Sequence, residues 1–193
     1  MHPFTPSSQA SRKPRFAGIL LAGLLWLAAG NGLAARESVP SEYAVKAAFL
    51  LNFGKFVSWP DRDFPNSNAP LVIGVLGSNP FHEDLKRMIA GKSIEGHPLV
   101  FRQLQTPEAV RNCHILFVSQ AAQKDAPAIL EALRGVDVLT VTENLPHFAS
   151  AGLAVNFVTV QDHIRFQINQ PAAARTGLTI SSKLLSLALP PDP

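Results

Sequence analysis

Strand-length apolar runs that alternate with helical stretches constrain the fold of this chain more than any other feature. Leu71–Leu76 is continuously apolar, Cys113–Ser119 contains the apolar run Ile115–Val118, and Val136–Val141 is a third run of this kind. A strand that is apolar on both faces is typical of a parallel sheet covered by helices on both sides. Strands that alternate with helices predict right-handed βαβ crossovers, so the chain is predicted to be an α/β protein.

The remaining elements follow from apolar periodicity and from turn residues. Leu99–Leu104 alternates as a strand, Ile94–His97 is interpreted as a turn or short edge strand, and 178–180 as a short extended piece. The predicted helices are one in Glu42–Pro60 with Ser41 as its N-cap, one from Pro80 to Ile89 with Asn79 as its N-cap, one over Lys124–Arg134, short ones at Thr106–Glu108, Asn144–Ser150 and Pro171–Arg175, and a last one capped by Ser181.

The last third of the chain departs from the alternating pattern. Val155–Val160 and Ile164–Ile168 are separated by three polar residues, and Arg165 and Gln167 alternate with apolar side chains in the second run. This pattern predicts a β-hairpin with one half-exposed strand. The complete prediction is a three-layer domain, Rossmann-like or flavodoxin-like. Its sheet is mostly parallel and carries the antiparallel C-terminal hairpin at one edge.

The segment Glu42–Pro60, EYAVKAAFLLNFGKFVSWP, is apolar on nearly every side. Only Lys46, Asn52 and Lys55 interrupt it. A helix with this composition is buried or lies in a membrane. About 15 helical residues rise about 22 Å, which is short for a bilayer, and the lysines also argue against a membrane position. We therefore predict a buried helix of a soluble domain, ended by Trp59–Pro60.

Residues 1–35 have the organisation of a signal peptide. Three basic residues lie between positions 12 and 15, the apolar run Phe16–Ala29 follows, and small residues lead to a predicted cleavage point near Ala34 or Ala35. An uncleaved membrane anchor is the alternative. We expect export to the periplasm and a single mature domain over 36–193, a length that allows a sizeable core.

Charge and cysteine content limit the partners of the mature chain. The full sequence has 17 basic and 14 acidic residues, but three basic residues lie in the leader, so the chain from Arg36 carries 14 of each. A neutral chain without a basic patch predicts no nucleic-acid partner. Cys113 is the single cysteine and cannot form an intramolecular disulfide. Its position beside an apolar strand predicts a buried thiol, with an intermolecular bridge and a homodimer as the alternative.

The histidines, the cysteine and the glycine-containing turn form no recognisable catalytic motif. Gly74–Pro80 follows a strand and opens a helix, but it matches neither GxGxxG nor the Walker pattern, so it is interpreted as a capped turn. Cys113 and His114 are strand neighbours whose side chains face opposite sides of a sheet. The histidines without metal-ligand spacing are His82, His97, His114, His147 and His163. We therefore predict no metal, no cofactor and no enzymatic activity.

Small and polar residues follow the predicted buried strands and mark a candidate crevice. In open α/β sheets, ligands bind beyond the carboxyl ends of the strands. Turn and capping requirements explain the same residue types, so the crevice remains one of two interpretations. The candidate contact residues at these strand ends are Gly77, Ser78, Asn79, Ser119, Gln120, Glu143 and Asn144.

Four segments together resemble the YfiR family of exported bacterial proteins. They are Glu42–Pro60, Leu71–Phe81 (LVIGVLGSNPF), Cys113–Ser119 (CHILFVS) and Ala154–Ala188, which contains HIRFQINQPAAARTGLTISSKLLSLA. Their order and spacing cover nearly all of the mature chain, and the first and last segments are the most specific.

The resemblance implies a periplasmic regulator rather than an enzyme. In the best-known members, the periplasmic protein binds the periplasmic sensory part of an inner-membrane diguanylate cyclase and holds it inactive. Release raises cyclic diguanylate and favours biofilm formation. The namesake carries paired cysteines that form disulfides, whereas this chain has only Cys113. The resemblance brings no catalytic residues.

Two functions are carried forward from the sequence. The first is binding and inhibition of a membrane diguanylate cyclase, with Arg165 and Gln167 on the half-exposed strand, and the loops at Ser78 and Asn144, as candidate contact surfaces. The alternative is a periplasmic small-ligand binder or sensor that uses the crevice at the strand carboxyl ends.

Overall fold

A mostly parallel sheet of seven strands forms the centre of residues 40–192, the part of the chain that the computed structural model describes. The predicted signal peptide at 1–35 lies outside the described residues. The strands, numbered in chain order, are β1 (Val57–Ser58), β2 (Leu71–Leu76), β3 (Ser93–Ile94), β4 (His97–Leu104), β5 (Ile115–Val118), β6 (Leu139–Glu143), β7 (Val155–Val160), β8 (His163–Ile168) and β9 (Thr179–Ile180).

The strand order of the large sheet is β3-β4-β2-β5-β6-β7-β8. Its five central strands are parallel, whereas β3 and β8 pair antiparallel with β4 and β7 at the two edges. The five parallel strands lie in the order β4-β2-β5-β6-β7. Numbered 1 to 5 by their order in the chain, they have the order 2-1-3-4-5 of flavodoxin-like sheets. The predicted mostly parallel sheet with a C-terminal hairpin at one edge is therefore confirmed. The remaining strands, β1 and β9, form a separate antiparallel pair.

Six α-helices and three 3₁₀-helices connect the strands of the described part. Side chains cap three of the α-helices, because Ser41, Asn169 and Ser181 accept from backbone N–H groups three residues ahead. The α-helices are α1 (Glu42–Phe56), α2 (Asp84–Ile89), α3 (Ala126–Ala132), α4 (Phe148–Ala151), α5 (Gln170–Ala174) and α6 (Ser182–Leu185), and the 3₁₀-helices are Asp61–Asp63, Pro107–Asn112 and Gln120–Asp125.

Alternate residues of the buried strands build two separate cores, one on each face of the sheet. On β2, Ile73 and Val75 belong to the core that contains residues of α1, α2 and α6. Val72 and Leu76 belong to the second core, which contains residues of α3. This arrangement confirms the predicted three layers and explains why the central strands are apolar on both faces.

The first helix is shorter than predicted. It ends at Phe56, and Val57 and Ser58 form β1 by pairing with Ile180 and Thr179. Val57 is β-branched and extended, which suits a strand better than a last helical turn. The helix from Pro80 also begins later, at Asp84, because His82 has a left-handed backbone conformation that interrupts it.

Two further boundaries differ for local reasons. The predicted helix Lys124–Arg134 begins as the 3₁₀-helix Gln120–Asp125, and its α-helical part starts at Ala126 with a proline in its first turn. The predicted strand Val136–Val141 is observed as Leu139–Glu143. The Val138 N–H donates to the Val136 carbonyl at 3.2 Å, so this part of the run forms a turn, and pairing with the neighbouring strand begins at Leu139.

Candidate functional site

The expected crevice between the carboxyl ends of β2 and β5 is filled by protein. The Ser119 N–H donates to the Leu76 carbonyl at 3.1 Å and ties the two strand ends together. A Cβ on Gly77 would lie 2.4 Å from Ser119 Oγ and 3.0 Å from Ala122 Cβ. Gly77 also has a φ of 86°, so this position has neither the space nor the backbone conformation for a side chain. The loops therefore pack against each other where a ligand was expected.

The other residues of this first turn serve the fold. Asn79 accepts from the Phe81 N–H at 3.0 Å and donates to the His82 carbonyl at 3.2 Å, which is a turn-capping role. Ser78 and Gln120 are exposed. Ser119 is buried, and its hydroxyl oxygen has no hydrogen-bond partner among residues 40–192. The capping interpretation fits these residues better than a binding crevice does.

A buried ion pair occupies the carboxyl end of β6. Glu143 is 2% exposed and Lys46 of α1 is 1% exposed, and the Lys46 ammonium donates to the Glu143 carboxylate. Lys46 also donates to Glu42, one helical turn earlier. The Tyr43 hydroxyl donates to the second Glu143 carboxylate oxygen at 3.4 Å. Both carboxylate oxygens of Glu143 are therefore engaged inside the protein.

Residues around the ion pair fix its geometry. The Lys46 ammonium lies 4.6 Å from the centroid of the Tyr43 ring, and that ring packs edge-on against Phe81 at 5.6 Å. Gln123 donates to the Glu143 backbone carbonyl and to Thr142 Oγ1, which fixes the end of β6. The pair is held from α1, from β6 and from the Gln120–Asp125 helix.

The electrostatics of this cluster keep its cation charged. Burial acts to lower the pKa of Lys46, but hydrogen bonds to Glu143 and Glu42 outweigh it, and the pKa is raised. The pKa of Tyr43 is also raised, first by burial and then by the Glu143 charge. With its polar atoms satisfied internally, the pair joins α1 to the sheet and leaves no free group for acid–base chemistry.

Sequence reasoning identified Glu143 but missed Lys46. Lys46 was interpreted as an interruption of an apolar helix, and Glu143 as a residue of an open crevice. The available signal was physical: a lysine on a helix that must be buried requires a buried carboxylate partner. Glu143, at the end of a buried strand, was a candidate for that partner.

The β7–β8 hairpin gives a different surface from the one predicted. Arg165 is exposed as expected, but Gln167 is 3% exposed. Gln167 accepts from Asn156 at 3.0 Å and donates to the Pro190 carbonyl at 3.2 Å. The expectation that Gln167 is exposed is wrong, because residues 189–192, which we call the tail segment, cover that part of β8.

An open groove of about 520 Å³ lies between the hairpin and the tail segment. We call it the hairpin groove; it is lined by Asn144, Val158, Thr159, Val160, Gln167, Leu189, Pro190 and Asp192. Two predicted contact residues, Asn144 and Gln167, thus share one surface feature. Arg165 lies beside the groove, because it pairs with Val158 across the hairpin. The large apolar side chains with the greatest exposure among the described residues are Leu187 at 59% and Val160 at 43%.

A family model described as YfiR/HmsC-like matches residues 43–189. The chain belongs to the YfiR/HmsC-like family. No curated protein matches it. The matched region begins in α1 and ends in the tail segment, so it contains the Lys46–Glu143 pair and most of the hairpin groove. Membership confirms the resemblance carried by the four segments and supports a regulatory role linked to cyclic diguanylate.

Within residues 40–192, no group of three or more His, Cys, Asp or Glu side chains is placed to hold a metal ion. No helix in the same part of the chain has the length and apolar character needed to cross a bilayer.

Cys113 is buried, as its position beside an apolar strand predicted. Its thiol is 4% exposed and donates to the Val110 carbonyl at 2.9 Å. Burial raises the pKa of the thiol to about 12. Cys113 faces Gly74 across the sheet, where a Cβ would lie 3.2 Å from its sulfur. The thiol is therefore enclosed and protonated at neutral pH.

The Cys113 environment predicts low thiol reactivity. At pH 8 the folded protein is expected to react with iodoacetamide about a thousandfold more slowly than the unfolded chain, because the thiolate fraction is lower by that factor.

Cys113→Ser is expected to leave regulation unchanged and to lower the free energy of unfolding by about 1–2 kcal/mol, since it places a hydroxyl in the core. A covalent dimer on non-reducing gels, lost in the variant together with regulation, would contradict this.

Proposed function

We propose that this YfiR/HmsC-like protein is a periplasmic regulator that binds the periplasmic part of an inner-membrane diguanylate cyclase and holds the enzyme inactive. The observation that carries the proposal is the family match over residues 43–189. Binding of the inactive cyclase lowers cyclic diguanylate and biofilm formation. Such inhibition requires only a surface that prefers the inactive partner by about 3 kcal/mol, which shifts an equilibrium roughly a hundredfold.

The hairpin groove is the proposed cyclase-contact surface. It combines the exposed apolar side chain of Val160 with Arg165 beside it and Asn144 at its end. Exposed apolar groups rimmed by polar groups are typical of protein-interaction surfaces. The groove also lies at the sheet edge, where the side of β8 that faces away from β7 pairs with the tail segment at Leu189. The buried ion pair, by contrast, has no atom free for a partner.

Deletion of the gene is expected to raise cyclic diguanylate and surface attachment, and this rise should require a membrane cyclase. The measurement is the nucleotide level in parent, deletion and double-deletion strains under conditions where the parent expresses the protein. An unchanged level in the deletion strain would reject the regulatory proposal.

Complementation tests the surface within the same experiment. The double variant Val160→Asp/Arg165→Glu should express and export normally but leave cyclic diguanylate high. The control Arg87→Glu changes an exposed arginine on α2 that lies outside the groove, and it should restore the parental level. Full restoration by the groove variant would leave the regulatory role standing and reject the groove as its surface.

The alternative of ligand binding in the strand-end crevice has less support. Ser119 and Ala122 fill the space beside Gly77, and Glu143 is committed to Lys46. A ligand beside Gly77 or Glu143 would have to displace packed protein atoms.

A further inference from the structure

A cavity lies at the opposite end of the sheet, near the amino ends of β6 and β7. Its volume is about 470 Å³, within the range of small-molecule sites. α3 and α5 form its sides through Leu130 and Ala172. Val138 and Ala154, which directly precede β6 and β7, also line it. These side chains give the cavity an apolar floor.

Two arginines supply positive charge at this cavity. Arg175 lines it, and its guanidinium makes no hydrogen bond or ion pair within residues 40–192. Arg134 also lines it, and its ion-pair partner is Glu131 at 2.9 Å, with both side chains mostly exposed. None of the lining residues is an aspartate or a glutamate. The electrostatic character of the cavity therefore favours an anion.

The cavity also contains a buried hydroxyl. Thr140 is 5% exposed, and its Oγ1 accepts from the Ala154 N–H at 2.8 Å. No described residue accepts the hydroxyl proton, so Thr140 retains a donor for a bound group. A buried donor without an acceptor is uncommon, which makes this hydroxyl a specific polar feature of an otherwise apolar wall.

Gly152 positions the arginine beside the apolar wall. Its φ is 80°, and a Cβ built there would lie 2.9 Å from Leu130 Cδ1 and 3.8 Å from Arg175 Nη2. The absence of a side chain at this position lets the Leu130 and Arg175 side chains come close to the backbone. A cation and an apolar surface are thereby placed next to each other at one cavity.

We propose that this cavity binds a small monocarboxylate with an aliphatic or aromatic body. The apolar body packs on Leu130, Val138 and Ala172, and the carboxylate accepts hydrogen bonds from Arg175 and Thr140. Arginine pairs with carboxylates through two parallel N–H bonds, which gives this class an advantage over neutral ligands of the same shape. The proposal does not depend on the cyclase partner.

The test compares phenylacetate with phenylacetamide, which keeps the shape and lacks the charge. Calorimetric or NMR titration of the exported protein should show saturable binding of phenylacetate, at least about tenfold tighter than phenylacetamide, with shifts of the amides near Val138 and Ala154. Arg175→Gln should weaken phenylacetate about tenfold and leave phenylacetamide within about twofold. The control Arg165→Gln should change neither affinity.

A second variant tests the location independently of charge. Leu130→Trp fills the apolar part and should abolish binding of both probes, while the thermal melt shows that the variant is folded. The proposal is overturned if phenylacetate shows no saturable binding to about 10 mM, if both probes bind equally, or if folded Leu130→Trp binds like the parent.

Discussion

Replacing Lys46 with methionine is expected to destabilise the folded protein by about 3–5 kcal/mol, the cost of leaving one member of a buried ion pair without its partner. Glu143 is 2% exposed, so the variant leaves its carboxyl group buried without the ammonium that compensates it. Equilibrium urea unfolding measures the change directly. A loss below about 1 kcal/mol would show that Glu143 reaches water and that the pair is not buried in solution.

The double variant Lys46→Met/Glu143→Leu tests whether the loss of stability comes from leaving Glu143 without its partner. Because it removes both charges, it is expected to recover most of the stability lost in Lys46→Met, as apolar replacements of buried ion pairs often do. The matched control is Lys86→Met, which removes an exposed lysine paired with Glu83 at 2.9 Å on the protein surface. That control should change stability by less than about 1 kcal/mol.

The same cluster predicts loss of stability in alkali. The folded pKa of Lys46 is raised, so its contribution is complete below the unfolded pKa of about 10.4 and is lost as pH rises through the folded pKa. The raised pKa of Tyr43 acts in the same direction above about pH 10, because the folded state holds the phenol proton more tightly. Parent unfolding free energies should therefore fall in this range, and those of the double variant should fall less.

Phe53→Ala is expected to lower the free energy of unfolding by about 3–5 kcal/mol, because it truncates a fully buried aromatic side chain. Phe53 is 0% exposed, and its ring centroid lies 5.8 Å from that of Phe157 and 5.3 Å from that of Phe166. These contacts join α1 to the β7–β8 hairpin. Phe49→Ala should cost less than Phe53→Ala, since Phe49 is only partly buried in the same cluster.

Chemical denaturation with a surface control measures this prediction. Leu187 is 59% exposed, so Leu187→Ala should change stability by less than about 0.5 kcal/mol. Equal small losses for Phe53→Ala and Leu187→Ala would mean that α1 packs loosely on the sheet.

Strand boundaries were predicted best where residues within and next to the strand define them. Leu71–Leu76 was located to the residue, because its continuous apolar run is bounded by Pro70 and Gly77. The β7–β8 hairpin was also found, but its three-residue connection is a two-residue turn at Gln161 and Asp162, both with positive φ. Neither residue is glycine, so the usual hairpin turn signal is missing.

Elements that depend on distant partners escaped sequence reasoning. β1 exists because Val57 meets Ile180, more than a hundred residues away. Local apolar periodicity therefore assigned Val57 to the preceding helix. Asp137, just before β6, accepts from the Gly177 N–H, which is another contact that no local pattern contains. Long-range pairing of this kind overrides local propensity.

In the candidate site, too, some residues were predicted correctly from their own side chains, whereas others depend on distant segments. Asn144 and Arg165 are exposed, as their polar side chains indicated. Gln167 is buried because the tail segment pairs beside it, and Glu143 is buried because α1 brings Lys46 to it. Both outcomes depend on the tertiary position of another segment. The cavity at Arg175 also escaped detection, since its walls come from α3, α5 and two strand starts.

The tail segment has a consequence for how the protein opens. Leu189 donates to the Phe166 carbonyl at 2.8 Å, and Pro190 accepts from Gln167, so the tail is held by a few hydrogen bonds at the sheet edge. Segments with few buried apolar contacts separate at a fraction of the global unfolding free energy. Under native conditions the Leu189 amide should therefore exchange with deuterium well before the amides of β2 or β5. Each such opening exposes the Phe166 carbonyl at the edge of β8. An extended segment of a bound protein could then hydrogen-bond to this edge as an added strand.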